Sequence, residues 1–339
     1  MNKQIIFTRL NTAELLTIED EHLGSHDVKV KTLLSTVSCG TERANITGDL
    51  NVAGTNAPEK VAKFPRVAGY SSVGIVEEVG DEVKSVVPGD RVCVYWGKHK
   101  IYNILPEERV VKIDDDRIDN NTAAMAFIAT FPMAAVRKTK VELGETAMVM
   151  GLGILGQCAV QLMHAAGAVP VIAADPNPAR REQALAHGAD FALDPLAEGF
   201  AQRVKELTGG INAAVEVTGV GAGLDETLDC MAKFGRVALL GCTRDKNFTI
   251  DYYRKVHCPG ISLIGAHTNA RPNQESSAGL FTHRDDIRAV LKLAANGRIC
   301  LHDMVAEIHS PADCGAVYDR LVNDRNFPTV VQFDWTKLD

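Results

Sequence analysis

Residues 147–175, AMVMGLGILGQCAVQLMHAAGAVPVIAAD, constrain this chain more than any other stretch. They read as a short apolar strand (147–150), a glycine turn, a helix, a second apolar strand (169–174) and an acid. Continuous apolar runs of this length suit parallel strands buried on both faces. Gly151, Gly153 and Gly156 stand in the order G-x-G-x-x-G. The first permits a sharp turn, the second lets backbone approach a pyrophosphate, and the third lets helix pack close on strand. The helix start, at Ile154 and Leu155, offers backbone N–H groups and a positive dipole end to phosphate oxygens. Asp175 lies nineteen residues beyond Gly156, where a carboxylate can accept hydrogen bonds from both hydroxyls of an adenosine ribose. It favours NAD over NADP, because a 2′-phosphate would face its charge. Arg180 and Arg181 would soften that preference, although such a pair is more often a solvated helix face.

The surrounding pattern agrees. Strands are expected at 146–150, 169–174, 190–193, 212–217, 235–240 and 261–265, with helices between most of them. That alternation predicts a doubly wound parallel sheet, an α/β fold. Loops at the carboxyl ends of such strands line the ligand crevice, which selects Thr218, Gly241 and Gly265. Residues 1–113 read instead as mostly β, punctuated by Gly80-Asp81 and Pro88-Gly89-Asp90. Residues 45–63 read as a polar loop near a site, and residues 114–116 as an acidic break. A helix is expected over 121–138, which Pro132 must kink or interrupt. Beyond a polar loop at 268–282 come a helix near 284–296, a strand near 304–308, a helix near 311–323 and a strand at 329–333.

At 339 residues the chain is long enough for two domains. A net charge of −7 gives no general attraction to nucleic acid or to an anionic membrane. The eight cysteines are scattered without a CxxC pair, so neither a disulfide scaffold nor a zinc ribbon is indicated. The N-terminal residues lack a signal-peptide core, and no apolar stretch reaches membrane-spanning length. The expected setting is the cytoplasm, and the expected partner is a small-molecule substrate.

Three segments carry a family resemblance: CGTER (39–43), VGIVEEVGDEVKSVVPGDRV (73–92) and VELGETAMVMGLGILGQCAVQLMHAAGA (141–168). Together they resemble the medium-chain dehydrogenase/reductase superfamily nearly end to end. The resemblance implies a GroES-like β-rich catalytic domain, here 1–121 and 268–339, with a Rossmann dinucleotide-binding domain, 122–267, inserted between its parts. It also implies a cleft between the domains, and assembly as a homodimer or homotetramer. By the same resemblance Thr218, Gly241 and Gly265 approach the adenine ribose, the nicotinamide ribose and the carboxamide respectively.

Departures from the family are as telling. Zinc-dependent members hold their metal with a Cys, a His from G-H-E and a third Cys or Glu. Here Cys39 remains, but the second position reads Gly69-Tyr70-Ser71 and the third falls on Phe127. One thiolate does not make a tetrahedral zinc site, and the four-cysteine structural lobe is missing, so no metal is expected. AGYSSVG and His99–Tyr102 look closest to a zinc-lacking branch acting on sugar-related and bacteriochlorophyllide-type substrates.

Without zinc, a nicotinamide still carries hydride chemistry, and the protein must supply the proton. Four residues are candidates. Tyr70 takes the lost histidine's place, Thr41 falls where relatives keep a proton-handling hydroxyl, Glu42 stands beside it, and His99 sits between two strands. Lys98 is weaker, and Cys39 reads as a packed relic. The expected function is NAD(H)-dependent, zinc-independent hydride transfer between nicotinamide and an alcohol or ketone, on a polyol or sugar-like substrate. An NAD(P)H-dependent enone or quinone reductase and a non-catalytic dinucleotide sensor are the alternatives.

Overall fold

The computed structural model describes residues 1–50, 61–243 and 247–338. Most of the predicted 45–63 loop therefore lies outside the described residues, and Asn45 and Ile46 close a helix instead. The chain divides into two compact units. Met1–Ile128, Val290–Ala295 and Leu301–Asp339 form unit 1; Ala129–Ala289 and Asn296–Cys300 form unit 2. No helix among the described residues is long and apolar enough to cross a membrane.

In chain order the elements begin with β1 (Asn2–Arg9), β2 (Thr12–Ile18), β3 (Asp27–Thr36), α1 (Cys39–Ile46), β4 (Arg66–Val67) and β5 (Ser71–Val79). Then follow β6 (Arg91–Tyr95), β7 (Tyr102–Pro106), β8 (Val110–Lys112) and α2 (Asn120–Thr139). Next come β9 (Ala147–Met150), α3 (Ile154–Ala165), β10 (Val171–Ala174), α4 (Pro178–Ala186), β11 (Phe191–Leu193) and α5 (Phe200–Thr208). β12 (Ile211–Glu216), α6 (Gly221–Cys230), β13 (Met231–Leu239), β14 (Ser262–Gly265) and α7 (His283–Ala295) lead to β15 (Glu307–His309), α8 (Cys314–Asn323) and β16 (Val331–Asp334).

Unit 1 is built from alternating sequences. DVKVKTLLST in β3 buries alternate residues from Val28 to Leu34, the period of a sheet with one covered face, whereas β5 buries Ser71–Gly74 continuously and then Val76. The larger sheet runs β15-β16-β3-β5-β6-β8, with β7 also paired to β3. β16 pairs antiparallel with β3, Phe333 opposite Ser35, so the end of the chain completes a sheet begun at residue 27. Phe7, Tyr318, Phe333 and Trp335 meet in one core there.

Unit 2 contains six parallel strands in the order β11-β10-β9-β12-β13-β14. AMVM of β9 and VIAA of β10 are buried at every position, as strands covered on both faces require. The order reverses between β9 and β12, the switch point where such sheets bind ligands. The predicted strands fall within a few residues of the observed ones.

Two expectations are corrected. At Pro132 the interruption is corrected, not the kink: α2 is continuous, and every residue from 122 to 133 is buried, so packing outweighs the lost N–H. The segment 268–289, assigned from sequence to the first domain, belongs to unit 2. Arg271 ties it there, bonding Asp286 at 3.0 Å and the Thr130 carbonyl at 2.7 Å. Arg137 bonds the same Asp286 at 3.1 Å.

His283 shares this network through Thr130 Oγ1, 3.1 Å from its Nδ1. Burial, and then the charge of Arg271, push the imidazole down from 6.5 to about 3. The folded protein therefore keeps His283 neutral where an unfolded chain would take up a proton, and stability declines as pH falls below about 6.5. Between pH 7 and pH 5 the contribution lost is about 1–2 kcal/mol. Urea midpoints at the two pH values should lie closer together in His283→Gln than in wild type. Equal acid sensitivity would assign the decline to other groups.

Candidate active site

Unit 2 holds a cradle at the switch point. Gly151 has φ +95°, a left-handed turn that a side chain would strain. A Cβ there would also meet Thr218 Cγ2 at 2.9 Å. At Gly156 a Cβ would fall 1.9 Å from the Gly151 carbonyl oxygen, so this glycine sets how closely α3 approaches the turn. At Gly153, the residue before α3, a Cβ would meet nothing within 4 Å. The open space beside a helix N-terminus fits a pyrophosphate.

The acid at the end of β10 is built into the same turn. Asp175, 5 % exposed, accepts the Leu152 N–H and the Asn177 N–H, each at 2.8 Å. Arg180 Nη1 lies 3.8 Å from its Oδ2, so this arginine does stand by the acid. Arg181 instead donates to the carbonyls of Asp175 and Pro176. Asn177 caps α4 by accepting from Ala179 and Arg180 N–H groups, with Pro178 in the first turn. Glu216, missed from sequence, is buried at the end of β12. It accepts the Thr218 N–H at 2.7 Å, the Thr218 hydroxyl and the Gly219 N–H at 3.2 Å. Burial pushes its carboxyl up despite those bonds. It fixes the Thr218 loop against Gly151. Gly241 packs on Gly219, with a hypothetical Cβ 2.3 Å from its nitrogen, while Gly265 is exposed and open.

In unit 1, Tyr70, Trp96 and Phe127 form an aromatic group. The Tyr70 and Phe127 rings meet edge to face at 5.7 Å, and Trp96 lies 4.9 Å from Phe127 and 5.7 Å from Tyr70. The two positions read as lost ligands therefore touch each other. Trp96 adopts φ +58° and donates its N–H to the Tyr70 carbonyl at 2.9 Å. The half-buried Tyr70 donates its hydroxyl to Ser38 Oγ. Thr41 is half-buried on α1. The Cys39 sulfur faces the carbonyls of Val37, Pro328 and Thr329 at 3.7–3.9 Å, a polar setting rather than a purely apolar one.

Glu42 and His99 are placed differently from expectation. His99 is 0 % exposed and Glu42 1 %, so neither side chain can touch a substrate directly, and the acid–base role assigned to each is corrected to an internal one. His99 Nε2 lies 3.2 Å from Glu42 Oε1, and its Nδ1 lies 2.7 Å from Ser35 Oγ. Tyr318 donates to Glu42 Oε2 at 2.5 Å, the Ser38 N–H donates to Glu42 Oε1 at 3.0 Å, and Trp335 donates to Ser35 at 2.8 Å. Burial alone would raise the Glu42 carboxyl, but His99 and these hydrogen bonds outweigh it and hold it below its usual value. Gly69 leaves room for His99, since a Cβ there would sit 2.4 Å from the His99 backbone nitrogen and 2.6 Å from its ring Cγ. Lys98 is half-buried, and burial, with Lys100 and Arg109, lowers its ammonium.

Comparison with known proteins agrees with this architecture. The family model for the alcohol dehydrogenase GroES-like domain matches residues 24–115, and that for zinc-binding dehydrogenase matches residues 155–283. D-guloside 3-dehydrogenase of Escherichia coli K12 is 28% identical over 339 residues, covering 95% of this chain and 96% of its own. L-threonine 3-dehydrogenase of Pyrococcus horikoshii is 25% identical over 289 residues, covering 75% and 79%. The crystal structure of 2R,3R-butanediol dehydrogenase from Bacillus subtilis superposes with a TM-score of 0.82 at 20% identity, covering 98% of this chain and 99% of that one. The fold is a GroES-like domain joined to a Rossmann domain. The chain belongs to the medium-chain dehydrogenase/reductase superfamily, and it is an oxidoreductase of the alcohol dehydrogenase type.

Proposed function

We propose that this protein is an NAD-dependent dehydrogenase that interconverts an alcohol and a ketone on a polyol or sugar-like substrate without zinc. The observation that carries the zinc-free clause is the Tyr70–Phe127 contact: two of the three positions that hold metal in zinc-dependent relatives are packed aromatic rings. The full-length similarity to a guloside dehydrogenase supports the substrate class. Asp175 supports NAD, because its carboxylate stands where a 2′-phosphate would be repelled; Arg180 tempers the effect.

The cradle residues suit the cofactor. Gly151, Gly153 and the start of α3 would hold the pyrophosphate, and Asp175 the adenosine ribose. Bound nicotinamide supplies the hydride acceptor or donor. Tyr70 gives its phenolic proton to the carbonyl oxygen during reduction and recovers one from the alcohol during oxidation. Thr41 would hydrogen-bond the substrate or the nicotinamide ribose. Trp96 and Phe127 pack against the phenol ring and fix its plane.

Purified protein mixed with NAD and a panel of polyols and sugars should show nicotinamide absorbance rising, with kcat/KM at least roughly tenfold better for NAD than for NADP. Metal analysis should find zinc far below one per chain, and chelation should leave activity intact. Stoichiometric zinc, or activity abolished by chelation, would overturn the zinc-free reading. Faster oxidation of NADPH with enones than of NADH with ketones would favour an enone reductase instead.

A further inference from the structure

We propose that Ser38 is the positioning residue for Tyr70, holding the phenol at the angle proton transfer requires. The inference rests on Tyr70 being the proton donor and deepens that reading.

Three observations converge on Ser38. It is the residue preceding α1, where a serine hydroxyl ordinarily caps the helix by accepting an early N–H. Here the side chain makes no capping bond; it receives the Tyr70 hydroxyl instead. Its hydroxyl has been given up by the helix and committed to the tyrosine. Second, Ser38 is only 5 % exposed and is held at both backbone ends: its N–H donates to Glu42 Oε1 at 3.0 Å and its carbonyl accepts the Glu42 N–H at 2.8 Å. Third, Glu42 is fixed in turn by His99 and Tyr318. The buried network thus ends in one hydroxyl presented to one half-buried phenol.

The chemistry follows from what a serine hydroxyl can do. It accepts the Tyr70 hydrogen bond in the resting state, and by rotating to donate to the phenol oxygen it frees the single phenolic proton for the substrate oxygen and stabilises the phenolate left behind. During reduction the O–H bond of Tyr70 breaks as an O–H bond forms on the substrate oxygen, while the hydride comes from the nicotinamide. The phenolate is left facing the Ser38 hydroxyl and is reprotonated from solvent. A charged acceptor strengthens that bond, so Ser38 favours the transferred state. Among the aromatic rings beside Tyr70, neither Phe127 nor the Trp96 ring face can replace an oxygen acceptor. On the packed elements, Glu42 and His99 face each other, and the Cys39 sulfur faces backbone carbonyls. Ser38 links Glu42 to Tyr70, its backbone held by the carboxylate and its hydroxyl by the phenol.

The test compares Ser38→Ala, Ser38→Thr, Tyr70→Phe and the Ser38→Ala/Tyr70→Phe double variant. Tyr70→Phe should lower kcat roughly a hundredfold. Ser38→Ala should lower kcat by about tenfold with KM little changed, Ser38→Thr should restore most of it, and Ser38→Ala should add nothing in the Tyr70→Phe background. A second readout needs no turnover. In protein labelled with 13Cζ-tyrosine, the resonance lost in Tyr70→Phe should shift in Ser38→Ala and return in Ser38→Thr, at unchanged melting temperature. If Tyr70→Phe keeps full activity, the proton-donor reading fails. If Tyr70→Phe is impaired but Ser38→Ala neither moves the resonance nor lowers kcat, or lowers it equally in both backgrounds, the positioning role of Ser38 is wrong.

Discussion

Gly156→Ala should cost both stability and cofactor binding, whereas Gly153→Ala should cost binding alone. Both sit in the same turn and both gain one methyl group. At Gly156 the new carbon would lie 1.9 Å from the Gly151 carbonyl oxygen and 2.8 Å from its carbon. Those atoms are backbone, at a residue already in the left-handed region, so α3 must withdraw from β9. Overpacking of this kind costs about 1–3 kcal/mol or more. At Gly153 the same carbon meets nothing within 4 Å in the protein, so stability should stay within about 0.5 kcal/mol of wild type. Binding should still weaken there, because the methyl would occupy space the pyrophosphate needs. Melting curves read the first effect, and NADH fluorescence titrations read the second. A Gly153→Ala variant that binds NADH as wild type does would place the pyrophosphate elsewhere.

Breaking the buried pair in unit 1 should have the largest effect on folding. His99→Ala leaves the Glu42 carboxylate without its principal partner, and Glu42→Ala leaves His99 facing an empty pocket. Losing one member of such a pair costs about 3–5 kcal/mol. Tyr318→Phe removes one of several bonds to Glu42 and should cost about 1–2 kcal/mol. The pH dependence has a definite sign. Glu42's carboxyl is held below its unfolded value, so its contribution is present above the usual carboxylate range and is lost as pH falls through the lower folded value. Guanidinium midpoints between pH 7 and pH 3 should therefore decline less steeply in Glu42→Gln than in wild type, from a lower starting point. Parallel declines would show that Glu42 does not titrate on unfolding.

These contrasts explain which parts of the molecule were legible in its sequence. The glycine turn and its acid are local: strand, turn, helix, strand and carboxylate are contiguous, and each glycine has a reason visible within a few residues. AMVM and VIAA announce doubly covered strands for the same reason. The network around Glu42 is the opposite case. Ser35, Glu42, His99, Tyr318 and Trp335 are drawn from β3, α1, the β6–β7 turn, α8 and the residues after β16, and no period or spacing links them. His99 between two strands looked accessible because Phe333, which lies against its ring, comes from β16, far along the chain. Ser38 stands directly before CGTER, yet its hydroxyl's commitment to Tyr70 depends on a residue in another loop. Pro132 leaves its helix unbroken because the burial of α2, set by distant residues, overrides local propensity. Glu216, between two valines in VEVTG, ends a strand at the crevice and carried a usable local signal.

The return of the chain to unit 1 also sets an order of assembly at the ribosome. When synthesis reaches Cys300, every residue of unit 2 has been made. Unit 1 is still missing Tyr318, β16 and Trp335, so Glu42 lacks its phenol partner, Ser35 its indole, and the Leu34–Thr36 end of β3 its neighbour. The nucleotide-cradle half can therefore mature as a nascent-chain domain while the other half waits with an open sheet edge. Translation speed through residues 301–334 sets how long that edge stays exposed to aggregation and to chaperones.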